Sequence, residues 1–210
     1  MNNEKKYWIY KDSFIFKPEF NGNIKDYNEL IKNYKILIFS DFNNLNKVKN
    51  TIKSDRKKII FSPDYSRFNQ PLYNSLDQLV NLTQLTFGEQ FNQPLANSLD
   101  KLINLTHLTF DDEFNKPLVN SLYKLINLTQ LTFGFKFNQQ LSDSLNQLIN
   151  LTHLTFDSNF NQPLVNSLNQ LVNLTHLTFG DEFNVQLTNS LDKLINLTHL
   201  TFGYHFNQPL

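Results

Sequence analysis

The chain has 210 residues, enough for one globular domain or one repeat array, and it contains no cysteine, which excludes disulfides and thiolate metal sites. The formal net charge at pH 7 is zero, but the charge is unevenly distributed. Residues 1–67 hold 14 Lys/Arg and 8 Asp/Glu (+6), whereas residues 68–210 hold 5 and 11 (−6).

The first third of the chain is predicted to consist of degenerate repeats. Phe20 and Phe42 are each followed, 19 positions later, by another phenylalanine, which is the spacing found in the regular copies downstream. Strands are therefore predicted to end at Phe16, Phe39 and Phe61. Atypical terminal repeats shield the apolar end of a solenoid. Residues 1–67 are accordingly predicted to form an N-terminal cap.

A basic segment, residues 47–58, carries six Lys or Arg side chains within this cap. Such a cluster can contact nucleic acid or act as a localisation signal. It contains no aromatic residues on which bases could stack, and a solvated convex surface of a degenerate repeat would also explain it. A nucleic-acid partner is therefore not expected. A loop over residues 62–67 is predicted to lead into the regular array.

From Phe68 onward a 23-residue unit recurs with few changes. Residues 68–210 are predicted to form six regular repeats and a partial seventh, continuous with the cap in one solenoid. A unit this short cannot bury its own apolar surface, so neighbouring units must stack. Copies begin at Phe68, Phe91, Phe114, Phe137, Phe160, Phe183 and Phe206.

Each unit combines two apolar rhythms. Residues 105–110 alternate apolar and polar, which predicts a short strand. Leu95, Leu99 and Leu102 are four and three residues apart, which predicts one or two helical turns capped by Asn97 or Ser98. The predicted fold is an α/β, leucine-rich-repeat-like solenoid with about nine short parallel strands on the concave face. Short helical turns would form the convex side.

Two phenylalanines and an asparagine recur at fixed positions in every regular unit. The phenylalanines that end the strands should stack as one internal spine, and those that begin the units should stack as a second. The asparagine after the second phenylalanine should bond backbone groups of the next unit, as an interior turn requires. This asparagine stands at Asn69, Asn92, Asn115, Asn138, Asn161, Asn184 and Asn207.

The recurring Phe-Asn-Gln-Pro-Leu signature followed by Leu-x-x-Leu-x-Phe resembles the FNIP repeat family, a leucine-rich-repeat relative of slime moulds and giant DNA viruses. The resemblance covers residues 68–210 closely, whereas residues 1–67 match only in length and in their Phe-Asn pairs. It implies protein binding on the concave sheet and transfers no catalytic residue.

The outward-facing strand positions are the first candidate binding site. If Leu108 and Phe110 point inward, then His107 and Thr109 point outward, and the same holds in every copy. A metal shared by neighbouring histidines is disfavoured, because a straight ladder supplies tetrahedral coordination poorly. A solvated ladder copied by duplication is the alternative. The row comprises Gln84, His107, Gln130, His153, His176 and His199.

The loops after the strands vary most between copies and form the second candidate site. Asp111, Asp157 and Asp181 should line an acidic edge beside the concave face. Phe135 interrupts the polar trend, as does Tyr204, and an exposed aromatic side chain can anchor a partner protein. Local packing of Phe135 is the alternative.

Other functional classes find little support. The sequence contains no metalloprotease, P-loop or serine-hydrolase motif, so we expect neither an enzyme nor a bound cofactor. The Asn-Leu-Thr triplets match the N-glycosylation pattern, but residues 1–11 do not resemble a secretory signal, so these asparagines are expected to shape turns. No stretch reaches the ~18 apolar residues of a membrane span. An intracellular, cytoplasmic location follows.

We therefore predict a scaffold that binds a partner protein through the concave strand face and its adjoining loops. The alternative is a structural protein that self-associates, for instance as a homodimer, through an uncapped C-terminal edge strand.

Overall fold

The computed structural model describes residues 5–40 and 66–209 of the chain. Its nine short strands form one sheet in which spatial order equals chain order. The strands are β1 (Tyr7–Tyr10), β2 (Ser13–Phe16), β3 (Ile36–Phe39), β4 (Gln84–Thr86), β5 (His107–Thr109), β6 (Gln130–Phe133), β7 (His153–Phe156), β8 (His176–Thr178) and β9 (His199–Thr201). This arrangement confirms the predicted solenoid.

Every neighbouring pair from β2 to β9 is parallel, whereas β1 pairs antiparallel with β2. The prediction of an all-parallel sheet is therefore wrong at the N-terminal edge. Lys11, in the two-residue turn between Tyr10 and Ser13, adopts φ 52°, a conformation typical of tight hairpins. The hairpin lies outside the repeat unit, so the repeat pattern gave no sign of it.

The junction between the first third and the regular array is direct in the sheet, because β3 pairs with β4. The Phe39 ring stacks on Phe68 at 4.1 Å, as the Phe87 ring stacks on Phe91 at 4.0 Å. The strands predicted to end at Phe16 and Phe39 are confirmed. The predicted repeat ending at Phe61 and the basic segment 47–58 lie outside the described residues. The division into a cap and a regular array stays a prediction.

The short helical turns predicted for the convex side are present as single hydrogen-bonded turns, with little regular helix. Successive turns close by i→i+3 hydrogen bonds, such as Ser98 N–H to the Leu95 carbonyl (2.9 Å) and Leu102 N–H to the Leu99 carbonyl (3.0 Å). In the described part of the chain, helix occurs only in the first coil, as a 3-10 helix at Ile24–Tyr27 and α1 at Asn28–Ile31. No helix there is long or apolar enough to cross a bilayer.

A left-handed residue in each regular coil explains why these turns do not continue as helix. It occupies the position after the leucine that ends the Phe-Asn-x-x-Leu segment when that residue is unbranched at Cβ, as in Tyr73, Ala96 and Ser142. Where that position holds a β-branched side chain, the left-handed conformation moves to the following asparagine, because β-branched residues tolerate it poorly. These asparagines are Asn120, Asn166 and Asn189, which follow Val119, Val165 and Thr188.

Two phenylalanine spines fill the core and confirm the prediction. Within one coil the two rings stack closely, as Phe133 and Phe137 do at 4.0 Å. Between coils each ring lies over its copy, as Phe133 does over Phe156 at 5.5 Å and Phe137 over Phe160 at 6.0 Å. The planes of the rings lie nearly parallel to those of their copies, within 8° for these two pairs.

The repeated asparagine forms the predicted ladder between coils. The Asn115 Oδ1 accepts the backbone N–H of Asn138 (3.0 Å) and the Nε2–H of Gln139 (2.8 Å). The backbone part of this bond recurs in each coil from Asn69 to Asn207. It satisfies a turn N–H that has no strand partner, which an interior turn requires.

Candidate functional site

The predicted concave row is a continuous column of side chains across six strands. Gln84 of β4 stands in register with His107 of β5, and the same alignment continues to His199 of β9. Inward-facing leucines such as Leu108 are buried, whereas the row is half-buried or exposed. The structure therefore brings together Gln84, His107, Gln130, His153, His176 and His199, as predicted.

A threonine hydroxyl contacts each histidine ring at Nδ1. The Thr175 Oγ1 lies 3.0 Å from the Thr152 carbonyl oxygen and 2.8 Å from the His176 Nδ1. When the hydroxyl donates to the carbonyl, its oxygen accepts from Nδ1–H, and Nε2 is the acceptor of that tautomer. The same contacts recur at His107, His153 and His199.

Three of these imidazoles form a stack. The centroid of the His153 ring lies 4.3 Å from that of His176, which lies 4.1 Å from that of His199, and the planes are within 10° of parallel. His107 stands apart, because Gln84 and Gln130 flank it in the row. The C-terminal half of the row is thus a rigid imidazole surface, whereas the N-terminal half alternates amide and imidazole. In the residues that the structure describes, no three potential metal ligands cluster closely enough to hold an ion.

The loops after the strands stack on one another through backbone hydrogen bonds, such as Lys136 N–H to the Asp112 carbonyl (2.8 Å). Phe135 and Tyr204 occupy the same loop position three coils apart, and their exposed fractions are 44% and 87%. Phe135 is therefore available to a partner, as predicted.

The predicted acidic edge is present, but neighbouring groups already bind some of its carboxylates. The Asp157 Oδ1 accepts from the backbone N–H (2.6 Å) and hydroxyl (2.9 Å) of Ser158, so this carboxylate shapes its own loop. Asp181 is exposed, and its Oδ1 accepts from the backbone N–H of Tyr204 (3.3 Å). Asp111 is half-buried. A Lys136–Glu113 ion pair (2.6 Å) neutralises part of the same edge.

A groove at the start of the strands is a feature that sequence reasoning missed. It has a volume of about 850 Å³, and asparagine and threonine side chains from five consecutive coils line it. The Asn-Leu-Thr triplets were the available signal. Their predicted role in the turn is confirmed, since the Asn150 Nδ2–H donates to the Ile126 carbonyl (2.9 Å). The lining residues are Asn104, Thr106, Asn127, Thr129, Asn150, Thr152, Asn173, Thr175, Asn196 and Thr198.

A second missed feature is a column of exposed aliphatic side chains, one per coil, directly before those asparagines. Their exposed fractions range from 40% at Val172 to 80% at Ile195. The signal was the alternation of Val and Ile at one position of the unit. The column comprises Val80, Ile103, Ile126, Ile149, Val172 and Ile195.

A parallel sheet with one short strand per 23-residue coil, closed by turns on its other side, defines a leucine-rich-repeat-like solenoid. Two solved structures share this architecture. CroV588, described as a circular leucine-rich-repeat protein, is 31% identical with a TM-score of 0.59, over 98% of this chain and 32% of its own. An internalin from Listeria monocytogenes is 17% identical with a TM-score of 0.62, over 91% of this chain and 47% of its own.

The chain therefore spans about a third of the first of these proteins and about half of the second. The internalin likeness concerns the fold alone. No family model and no curated protein matches the sequence.

Proposed function

We propose that this chain is a scaffold that binds a partner protein through its concave row and the strand-to-turn loops beside it. The observation that carries the proposal is the continuous column from Gln84 to His199, which presents side chains in fixed register over six strands. Phe135 and Tyr204 add exposed aromatic surface in the adjacent loops, and aromatic residues often dominate binding energy at interfaces. Leucine-rich-repeat folds are typically protein-binding, which supports the proposal by analogy.

The test is affinity capture from cells of the source organism with a double variant of the row, His153→Glu with His176→Glu. Two adjacent carboxylates would repel each other and change the charge of the face, so capture of the partner should be lost. The matched control is Gln147→Glu with Gln170→Glu, which adds the same charges at exposed positions between the strands of the same coils. If the double row variant is folded and still captures the partner, the concave row is not the binding site.

A second pair of variants tests the aromatic anchor. Phe135→Ala should weaken capture, because truncating an anchor side chain typically costs 2 kcal/mol or more, roughly a 30-fold loss of affinity. Tyr123→Ala removes an aromatic side chain of similar exposure (52%) from the convex turn between β5 and β6 and should leave capture unchanged. Equal effects of the two substitutions would exclude Phe135 as an anchor.

The recurring Phe-Asn-Gln-Pro-Leu signature supports placing the chain with FNIP repeat proteins, and this assignment is part of the proposal. An intracellular location belongs to it as well. Partner proteins from the cytosolic fraction should accordingly be captured in preference to secreted ones.

Self-association, for instance as a homodimer through strand β9, is the second candidate. Strand edges that lack a partner invite pairing. Sedimentation velocity over a wide concentration range tests this function. A strict monomer at all concentrations would refute it.

A further inference from the structure

The asparagine–threonine groove runs along the solenoid at the start of the strands, across five coils. Neighbouring strands are ~4.8 Å apart, so five coils span about 19 Å. Its ten lining side chains are all uncharged, and none is aliphatic or aromatic. The groove is thus long, periodic, polar and neutral.

An inventory of hydrogen-bonding groups shows what each coil offers to a ligand. The Asn150 amide uses one N–H to bind the Ile126 carbonyl, which leaves its second N–H and the Oδ1. The Thr175 hydroxyl is already engaged by the Thr152 carbonyl and the His176 ring. Each coil therefore presents one donor and one acceptor from its asparagine, at a fixed orientation set by the first bond.

The histidine row borders the C-terminal end of the groove. The hydroxyls of Thr175 and Thr198, which line the groove, lie 2.8 Å and 2.9 Å from the Nδ1 atoms of His176 and His199. The ring nitrogen Nε2 of each histidine is a further atom that can donate or accept a hydrogen bond, according to the tautomer. Amide and imidazole groups thus repeat with the strand spacing.

We propose that this groove binds an uncharged, polyhydroxylated polymer, that is, a neutral polysaccharide chain lying along the solenoid axis. A polyanion would need cationic groups, and the lining has none. A peptide would be anchored by side chains in apolar pockets, and no aliphatic or aromatic residue lines the groove. Hydroxyl groups both donate and accept, and they rotate to suit fixed partners. They therefore match a row of amides and imidazoles. The inference is independent of the protein-binding function.

Native electrophoresis through gels that contain soluble starch, dextran or galactomannan tests the proposal on the full chain. The wild-type protein should be retarded by at least one of these neutral polymers and not by dextran sulfate. Asn150→Ala removes one donor and one acceptor and should weaken binding roughly three- to tenfold. The matched control is Asn81→Ala, which changes the same repeat position in a coil that does not line the groove.

Circular dichroism melts show whether each variant is folded. Asn150→Gln, which keeps the amide but displaces it by one methylene, is the second variant and should also weaken binding. The proposal is overturned if no neutral polymer retards the wild type, or if dextran sulfate retards it equally. It is overturned as well if folded Asn150 variants bind like the Asn81 control. Loss of a captured protein partner in Asn150 variants, without glycan binding, would assign the groove to protein recognition instead.

Discussion

Truncation of one spine phenylalanine tests the stacking model directly. The Phe133 side chain is fully buried, and its ring lies 4.0 Å from Phe137, 5.7 Å from Phe110 and 5.5 Å from Phe156. Buried Phe→Ala substitutions cost about 3–5 kcal/mol, so Phe133→Ala should lower the free energy of unfolding by about 4 kcal/mol. Phe202→Ala at the same repeat position is the matched control. Its ring is half-exposed, so the cost should be about 1–2 kcal/mol.

Urea unfolding followed by two probes measures these costs. Far-ultraviolet circular dichroism reports the whole sheet, whereas the single tryptophan, Trp8 in β1, reports the N-terminal edge by fluorescence. Repeat arrays can unfold in parts when one interface is weakened. Phe133→Ala, in the middle of the array, should therefore separate the two transitions. A cost for Phe133→Ala below about 1 kcal/mol, or one equal to that of Phe202→Ala, would refute the spine model.

Three further predictions concern hydrogen bonds and backbone conformation. Asn115→Ala should destabilise by about 1–3 kcal/mol in urea unfolding, because a turn N–H of the next coil loses its acceptor. Ala96→Gly should stabilise by up to about 1 kcal/mol in thermal melts, because Ala96 adopts φ 43°, whereas Val119→Gly, where φ is not positive, should not stabilise. Nitrogen NMR shifts at a pH where the ring is neutral should show His176 protonated on Nδ1, and Thr175→Val should release this preference.

Each of these predictions has a clear contrary result. A neutral effect of Asn115→Ala would mean that the asparagine ladder is incidental to the fold. Equal stabilisation by Ala96→Gly and Val119→Gly would contradict the assigned left-handed positions. An Nε2-protonated His176 would mean that the Thr175 hydroxyl donates to the ring instead of to the backbone.

The repeat length, the two spines and the asparagine ladder could be predicted from the sequence, because each depends on one residue type at one spacing. The backbone conformation of the convex segment could not be predicted in the same way. Leu95, Leu99 and Leu102 have a spacing that suits both a helix and a chain of i→i+3 turns. The left-handed residue between Leu95 and Leu99 decides for turns, and its position depends on the Cβ branching of a single variable side chain.

The candidate site was predictable as a column but not as chemistry. Strand alternation places His153 and His176 on one face, and the register makes them neighbours. The contact between each ring Nδ1 and the adjacent threonine hydroxyl depends on side-chain geometry, which spacing does not reveal. The groove could not be predicted from the sequence either, because it forms only where five coils stack.

Comparison of the copies within this one chain separates positions that the stack requires from those that it tolerates. The spine rings, the ladder asparagines and the groove threonines each make a bond or contact to the next coil, so their recurrence has a sufficient structural cause. Their constancy is therefore no evidence for or against a ligand, and the groove proposal depends instead on the amide groups that remain after those bonds.

The loop position of Phe135 differs, since its copies are Glu89, Asp112, Ser158, Asp181 and Tyr204. A position that accepts acidic, hydroxyl and aromatic side chains carries little structural constraint. Selectivity for one protein partner can therefore be encoded there at little cost in stability.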